Sequence, residues 1–414
     1  EGVGRVRFDL VGGAGGAATS FTPQYLTDVT NAALSGGGAG AQLSGVLAVK
    51  SGDILRVWAG NGGVGSPAGA QPALGGEGYA AGGDSTGSSK ATGSAQVVGT
   101  DSGYVYGASG GGSSAVELVR DGAVTIVAVA GAGGGGAQLG TLTTHQGVFD
   151  TQPKDQLNPA LRVAPDGRDA STTAGGSAGG DLGTDNTGQG GMLMASPYQE
   201  FKPLDEDDKT LDMRFMVTGG TAGRSGVAGT LGEALVGVLD ENNELKLMPM
   251  SDPWFETYDF PRYYMYEGDS VVEGEKGTGG ADATGSYRGK GGSGALLSRT
   301  HGKLSLTSVA SGGGAGYGGG GAGLNIWTIG AYRESVFGRQ VQFENEGNIY
   351  SLSSLSSGGG AGGSYINHEV VSDFALATAK NANPTVGVRS PGSAALYSCT
   401  ENATLNTPIT EGAL

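Results

Sequence analysis

The sequence predicts a mainly β fold in which short strands run directly into glycine tracts and an acidic insert interrupts the pattern. Three observations carry this. Glycine fills 85 of 414 positions, about a fifth, where about 7% is ordinary. Apolar and polar residues alternate over short runs, with almost no helical periodicity in the first 140 residues. The net charge of −16 is concentrated: the span 141–275 holds 23 acidic and 9 basic residues, the rest of the chain 17 and 15.

The strands come first. RVRFDLV places Val6, Phe8 and Leu10 on one face, the period of a half-buried strand. GVLAVKSGDILRVWAG, Gly45 to Gly60, reads as strand, turn, strand, with Gly52 and Asp53 suited to the turn. AVELV and VTIVAVAG follow on either side of the turn Arg120-Asp121-Gly122. LDMRFMV, Leu211 to Val217, is a further alternating strand within the insert. After about residue 276 the pattern of strand and glycine block returns in GKLSLTSVASGGGAGYGGGGAG, SSGGGAGGSYIN and a terminal TVGVRSP. The repeat has no fixed period, which argues against a solenoid. The organisation is therefore 1–140 and 276–414 as two parts of a glycine-rich body, with 141–275 as an acidic, aromatic-containing insert.

Collagen is excluded, because glycine does not recur at every third position and there are only 14 prolines. Wholesale disorder is excluded by 37% hydrophobic residues together with 15 Tyr, 10 Phe and 3 Trp. The glycine tracts admit two readings. They are flexible loops between strands, or they are ordered segments of the polyproline II type, with three residues per turn and no internal hydrogen bonds. In the ordered case their buried amides must bond to neighbouring segments, and that bonding must offset the large entropy loss of glycine.

FDLVGGAGG, GGGAGAQLSGVLAVKSGDILRVWAGNGG and GGSSAVELV…VTIVAVAGAGGGGA, in that order, resemble the glycine-rich domain of the anaplastic lymphoma kinase and leukocyte tyrosine kinase ectodomains and of bacterial and phage surface proteins. GGGAGYGGGGAG and GGGAGGSYIN resemble its closing part. The likeness covers about residues 4–140 and 276–390 and rests most firmly on the KSGDxLxVxxG element. It implies a β-scaffold with a packed bundle of polyglycine helices in an extracellular setting. The receptor domains carry several cysteines and are joined to a kinase, whereas this sequence has the single Cys399 and no kinase, so the resemblance points to a microbial or viral relative. Tip adhesins of some phage tail fibres are similar in glycine pattern only.

Few residues suggest chemistry. Gly13-x-Gly15-x-x-Ala18 and Gly131-x-Gly133-x-x-Gly136 are dinucleotide-like, but neither is followed by a helix start. His145, His301 and His368 are isolated, with no ligand-spaced partners, and no catalytic constellation emerges, so an enzyme is not expected. The acidic run DEDDKTLD offers Asp205, Asp207, Asp208 and Asp212 as calcium candidates, against the plainer reading of a solvated loop; no other cofactor is expected. The cluster WFETYDFPRYYMYE offers Trp254, Phe255, Tyr258, Tyr263, Tyr264 and Tyr266 as binding or interface residues, against the reading that they form the insert's own core. Cys399 is the sole cysteine, so no internal disulfide can form; a cross-link between neighbours competes with an inert thiol. Asn402 lies in a glycosylation sequon. The acidic balance argues against nucleic acid, and no apolar run approaches the roughly 20 residues of a membrane span. The Glu1 start reads as a processed end.

The reading from sequence is thus an extracellular, cell-surface or virion-surface structural protein, a self-associating subunit of an appendage, filament or sheath, whose partners are copies of itself. The alternative is an adhesin that recognises host glycan or protein.

Overall fold

The computed structural model describes residues 4–19, 34–65, 73–85, 108–136, 140–145, 191–193, 213–224, 226–239, 245–249, 270–273, 278–284, 288–294, 296–301, 304–332, 349–399 and 407–408. The protein is mainly β. Every pairing among the described strands is antiparallel, and no helix occurs among the described residues.

Eight strands build the scaffold: β1 (Arg5–Val11), β2 (Ala41–Ala48), β3 (Ile54–Trp58), β4 (Ser114–Arg120), β5 (Ala123–Ala130), β6 (Tyr365–Ile366), β7 (Val371–Thr378) and β8 (Ser393–Cys399). The first sheet has the order β7–β2–β1–β8, extended beyond β8 by Thr407–Pro408; the second has the order β6–β5–β4–β3. The predicted alternation in β1 is present, with Val6, Phe8 and Leu10 buried. Phe8 and Leu10, with Leu43, Leu47 and Val371 of the first sheet, pack against Val116, Leu118, Val127 and Ile366 of the second. Burying such side chains stabilises by about 1.5–3 kcal/mol each, which makes this cluster the apolar anchor of the fold. Phe8 lies opposite Gly45 on β2, where a Cβ would stand 2.7 Å from its ring. Glycine there leaves room for the phenyl group.

The two ends of this sandwich differ. At one end the connections are tight turns: Lys50–Asp53 between β2 and β3, Asp121-Gly122 between β4 and β5, and Asn367–Val370 between β6 and β7. Asp121 and Gly122 both have positive φ, 52° and 79°, as a two-residue type I′ hairpin requires. In the KSGD turn Gly52 has φ 91°, and the Asp53 carboxylate accepts a bond from the Lys50 N–H at 2.7 Å. Arg120 clamps the same carboxylate with two bonds, Nε to Oδ1 at 3.0 Å and Nη2 to Oδ2 at 2.6 Å. That bidentate bond outweighs the burial and holds the Asp53 carboxyl down at about 2. The resemblance-bearing KSGD element is thus a turn pinned to the neighbouring hairpin.

At the other end six connections are glycine tracts: 12–16 after β1, 36–40 before β2, 60–65 after β3, 109–113 before β4, 131–136 after β5 and 357–364 before β6. The seventh, 379–392 between β7 and β8, has two glycines and contains TVGVRSP, which lies in a turn and irregular chain, the strand beginning only at Ser393. Because neighbouring strands are antiparallel, the tracts collect together and bond through their backbones. Along Gly312–Tyr317 successive N–H groups donate to three neighbours in rotation. Gly312 and Ala315 donate to Ala108 and Gly111, Gly313 and Gly316 to Gly292 and Gly289, and Gly314 and Tyr317 to Gly360 and Gly363. The rotation recurs at Gly12–Gly16. Gly12 and Gly15 donate to Ala41 and Gly38, Gly13 and Gly16 to Gly112 and Ser109, and Ala14 to Ser390.

The residue type follows from this closeness. A Cβ on Gly313 would collide with the Gly320 carbonyl, one on Gly314 with the Ala132 carbonyl, and one on Gly320 with the Gly360 carbonyl. Alanines 14, 132, 315, 322 and 361 are fully buried, and at the tract ends Ser109, Ser113, Ser357 and Ser364 are buried as well, so only small side chains are enclosed within these tracts. Part of the span 141–275 joins in: Gly220 and Gly223 donate to Gly358 and Ala361, and Gly229 and Gly232 to Gly319 and Ala322. The compositional insert is therefore not wholly outside the lattice. Asn381 fastens the 379–392 connection, donating to the Gly12 carbonyl at 2.8 Å and accepting from the Gly40 N–H at 3.0 Å.

Gly314→Ala is expected to destabilise the protein by about 1–3 kcal/mol or more through overpacking. Gly4→Ala, where no atom lies within 4 Å of the added Cβ, is expected to stay within about 0.5 kcal/mol of the parent. Urea unfolding of the two variants checks the contrast.

Candidate functional site

The residues that the sequence offers for recognition and metal binding lie outside the described residues: Trp254, Phe255, Tyr258, Tyr263, Tyr264 and Tyr266, and likewise Asp205, Asp207, Asp208, Asp212 and Asn402. Cys399 is described. It ends β8 opposite Arg5 as a free, half-buried thiol. His368 packs edge-on against Phe374, with ring centres 4.7 Å apart, while His145 and His301 end strands Gly140–His145 and Leu296–His301. No group of three or more His, Cys, Asp or Glu placed to hold a metal ion occurs among the described residues.

The two dinucleotide-like glycine motifs have a different use. The N–H groups of Gly13, Gly15 and Gly16 bond to Gly112, Gly38 and Ser109, and those of Gly133, Gly135 and Gly136 to Gly13, Gly312 and Gly16. Amides committed to other backbones are not presented to a phosphate, and neither motif opens a helix that would aim its N-terminus at one. These glycines are lattice members.

The structure instead brings together four aromatic residues where the second sheet meets the lattice. Trp58 ends β3, Tyr79 follows the tract around Gly76, Tyr317 interrupts the longest glycine tract, and Tyr365 opens β6. Tyr317 and Tyr365 stack, with centroids 4.2 Å apart and planes 22° from parallel. Trp58 meets Tyr79 edge-to-face at 5.1 Å and 70°. Both arrangements are those preferred by aromatic quadrupoles. Ala115, Val129 and Ile126 form the apolar floor beneath them. Trp58, Tyr79 and Tyr317 stay partly exposed, while Tyr365 is buried.

No protein-family model, curated protein or solved structure matches the chain.

Charge surrounds the rings unevenly. The Arg288 guanidinium lies 5.7 Å from the Tyr79 ring centre, within cation–π range. Glu117 is buried on β4 and faces Arg56 at 3.9 Å. Burial, reinforced by the negative charge of the neighbouring Glu117 carboxylate, pushes the Tyr79 phenol up to about 12. Burial likewise raises Tyr365, with Tyr317 and Glu369 adding to the effect. The ensemble offers ring faces, an acceptor carboxylate and a guanidinium, which suit stacking and hydrogen bonding.

Sequence reasoning missed this group because its members are far apart in the chain. The one available signal was local: Tyr317 and Tyr365 each stand beside an otherwise featureless glycine tract, where a large side chain must leave the lattice. Tyr79 sets a pH dependence. Below about pH 10, the ordinary tyrosine value, folded and unfolded chains both hold its proton. Between there and about 12 the unfolded chain releases it first, so the stability that Tyr79 contributes falls as pH rises. Tyr79→Phe is expected to cost on the order of 1 kcal/mol at neutral pH, and its deficit relative to the parent is expected to shrink across that alkaline window in parallel thermal melts.

Proposed function

We propose that the protein is an extracellular structural subunit that associates with copies of itself in a surface appendage, filament or sheath, stiffened by a bundle of polyglycine-II-type helices. The observation that supports this is the three-way rotation of backbone hydrogen bonds along Gly312–Tyr317 and Gly12–Gly16. A helix with three residues per turn and no internal bonds turns successive amides toward three different neighbours. A loop collapsed by side-chain packing has no reason to do so.

Such a bundle suits a mechanical role. Its cohesion runs through main chain rather than flexible side chains, and it needs no disulfide in a chain with one cysteine. The network also ties segments far apart in the chain, as in Gly135 to Gly312 and Gly359 to Gly135. Among the described residues no helix is long and apolar enough to cross a membrane.

A second reading, an adhesin for host glycan or protein, draws on the partly exposed rings of Trp58 and Tyr79 beside Arg288. The two separate on assembly. Negative-stain electron microscopy over a protein concentration series, with and without calcium, is expected to show regular filaments or sheets. Discrete particles at every concentration, together with binding to cells or glycan that Trp58→Ala abolishes, would overturn the structural reading in favour of the adhesin.

A further inference from the structure

The two packed sheets have four outer edges, and three of them are closed to strand addition. β7 carries an irregularity between Ser372 and Ala375, where Asp373 adopts φ 48° and pairs with Arg5 at 3.0 Å. Bulges and edge charges of this kind block a further strand. The opposite edge of the first sheet is the two-residue Thr407–Pro408, whose proline has no N–H to donate. β6 is also only two residues long. β3 is different: it has five residues in regular register with β4, no described strand on its outer side, and two exposed apolar side chains, Ile54 at 59% and Val57 at 37%. A regular, apolar edge with no described strand beside it is the kind that natural proteins protect unless it is used.

We infer that β3 is a self-association edge, on which a second copy of this chain adds its own β3 antiparallel about a two-fold axis at Arg56. The inference rests on the self-associating reading above and assigns one of its contacts. The sequence of the strand selects the occupant. A two-fold contact requires a self-complementary surface, and ILRVW is apolar in both directions from its centre. Pairing about Arg56 sets Ile54 opposite the second copy's Trp58, and Leu55 opposite its Val57. Aromatic and aliphatic cross-strand pairs of this type are favourable. The one unfavourable match is Arg56 against Arg56. Each arginine already has the Glu117 carboxylate of its own chain at 3.9 Å, so the two-fold centre holds two positive and two negative charges.

The contact joins two four-stranded sheets into one continuous sheet. A ladder this short is smaller than the ~1,200–2,000 Å² of stable interfaces, so it is a concentration-dependent contact and closes a dimer only. Filament growth needs a second contact elsewhere on the molecule.

Disulfide trapping tests the placement. In a C399S background, R56C puts the two new thiols directly opposite each other, at the ~4.5–5.5 Å Cα separation of facing antiparallel residues, which a disulfide can bridge. S51C, in the exposed turn five residues away, is set far from its counterpart by the same pairing. Under mild oxidation R56C is expected to form the homodimeric disulfide at least about tenfold faster than S51C, reflecting the effective concentration of paired thiols. Ile54→Lys, a substitution at an exposed position, is expected to remove most of that advantage. Equal rates for R56C and S51C, or a rate unaffected by Ile54→Lys, would overturn the inference. Filaments in which R56C shows no advantage would also overturn it, while leaving the structural reading intact. Preferential R56C dimers in a protein that never forms filaments would support the edge and contradict the filament.

Discussion

Ordering a glycine costs about 1–2 kcal/mol of backbone entropy, and a glycine offers no side chain to repay it by burial. What offsets that loss in this protein is the hydrogen bond from the N–H of one tract to the carbonyl of another, worth about 0.5–1.5 kcal/mol net. The two magnitudes are similar, so no tract is stable alone. The lattice gains only when many tracts close together, because each new segment then meets neighbours already held in place. The requirement for glycine is equally collective: Gly314 and Gly320 each face a carbonyl of another tract where a Cβ would stand, and Gly313 faces that of Gly320 on the far side of Tyr317. Larger side chains would separate the backbones and break the bonds that hold them.

The sandwich makes such closure attainable. Its apolar core, centred on Phe8, Leu10, Leu43 and Val127, fixes eight strand ends. The Arg120–Asp53 clamp and the Asp121-Gly122 hairpin secure the turn end, leaving most of the connections at the opposite end to be made by glycine. Tracts tethered to a fixed strand end lose less freedom on joining the bundle than free chains would. The two halves of the chain are joined in the same way, since β1 pairs with β8 and the strand Gly140–His145 pairs with Ile349–Ser356.

Local features of this architecture were legible in the sequence. Val6, Phe8 and Leu10 alternate in sequence and are buried in the fold, and the KSGD and Arg120-Asp121-Gly122 turns fall where their residue types place them. What was not legible depends on partners distant in the chain. GGGAGYGGGGAG does not say which neighbours its amides will meet, and it serves a flexible loop equally well. Composition set 141–275 apart as acidic, yet Gly220 and Gly232 within it bond to the lattice, because a net charge count does not register a short glycine stretch. The group of Trp58, Tyr79, Tyr317 and Tyr365 was invisible for the same reason, whereas the dense WFETYDFPRYYMYE cluster drew notice through proximity in sequence alone.

Amide hydrogen exchange read at the glycine tracts tests the central claim most directly. If lateral backbone bonds hold the bundle, the N–H groups of Gly312–Tyr317 and Gly12–Gly16 will exchange as slowly as those of β1 and β2, and will be released together with them in a common cooperative opening. Exchange of these glycines at the rate of an unstructured chain, while β1 and β2 remain protected, would contradict the account and leave the tracts as loops on an ordinary β-sandwich.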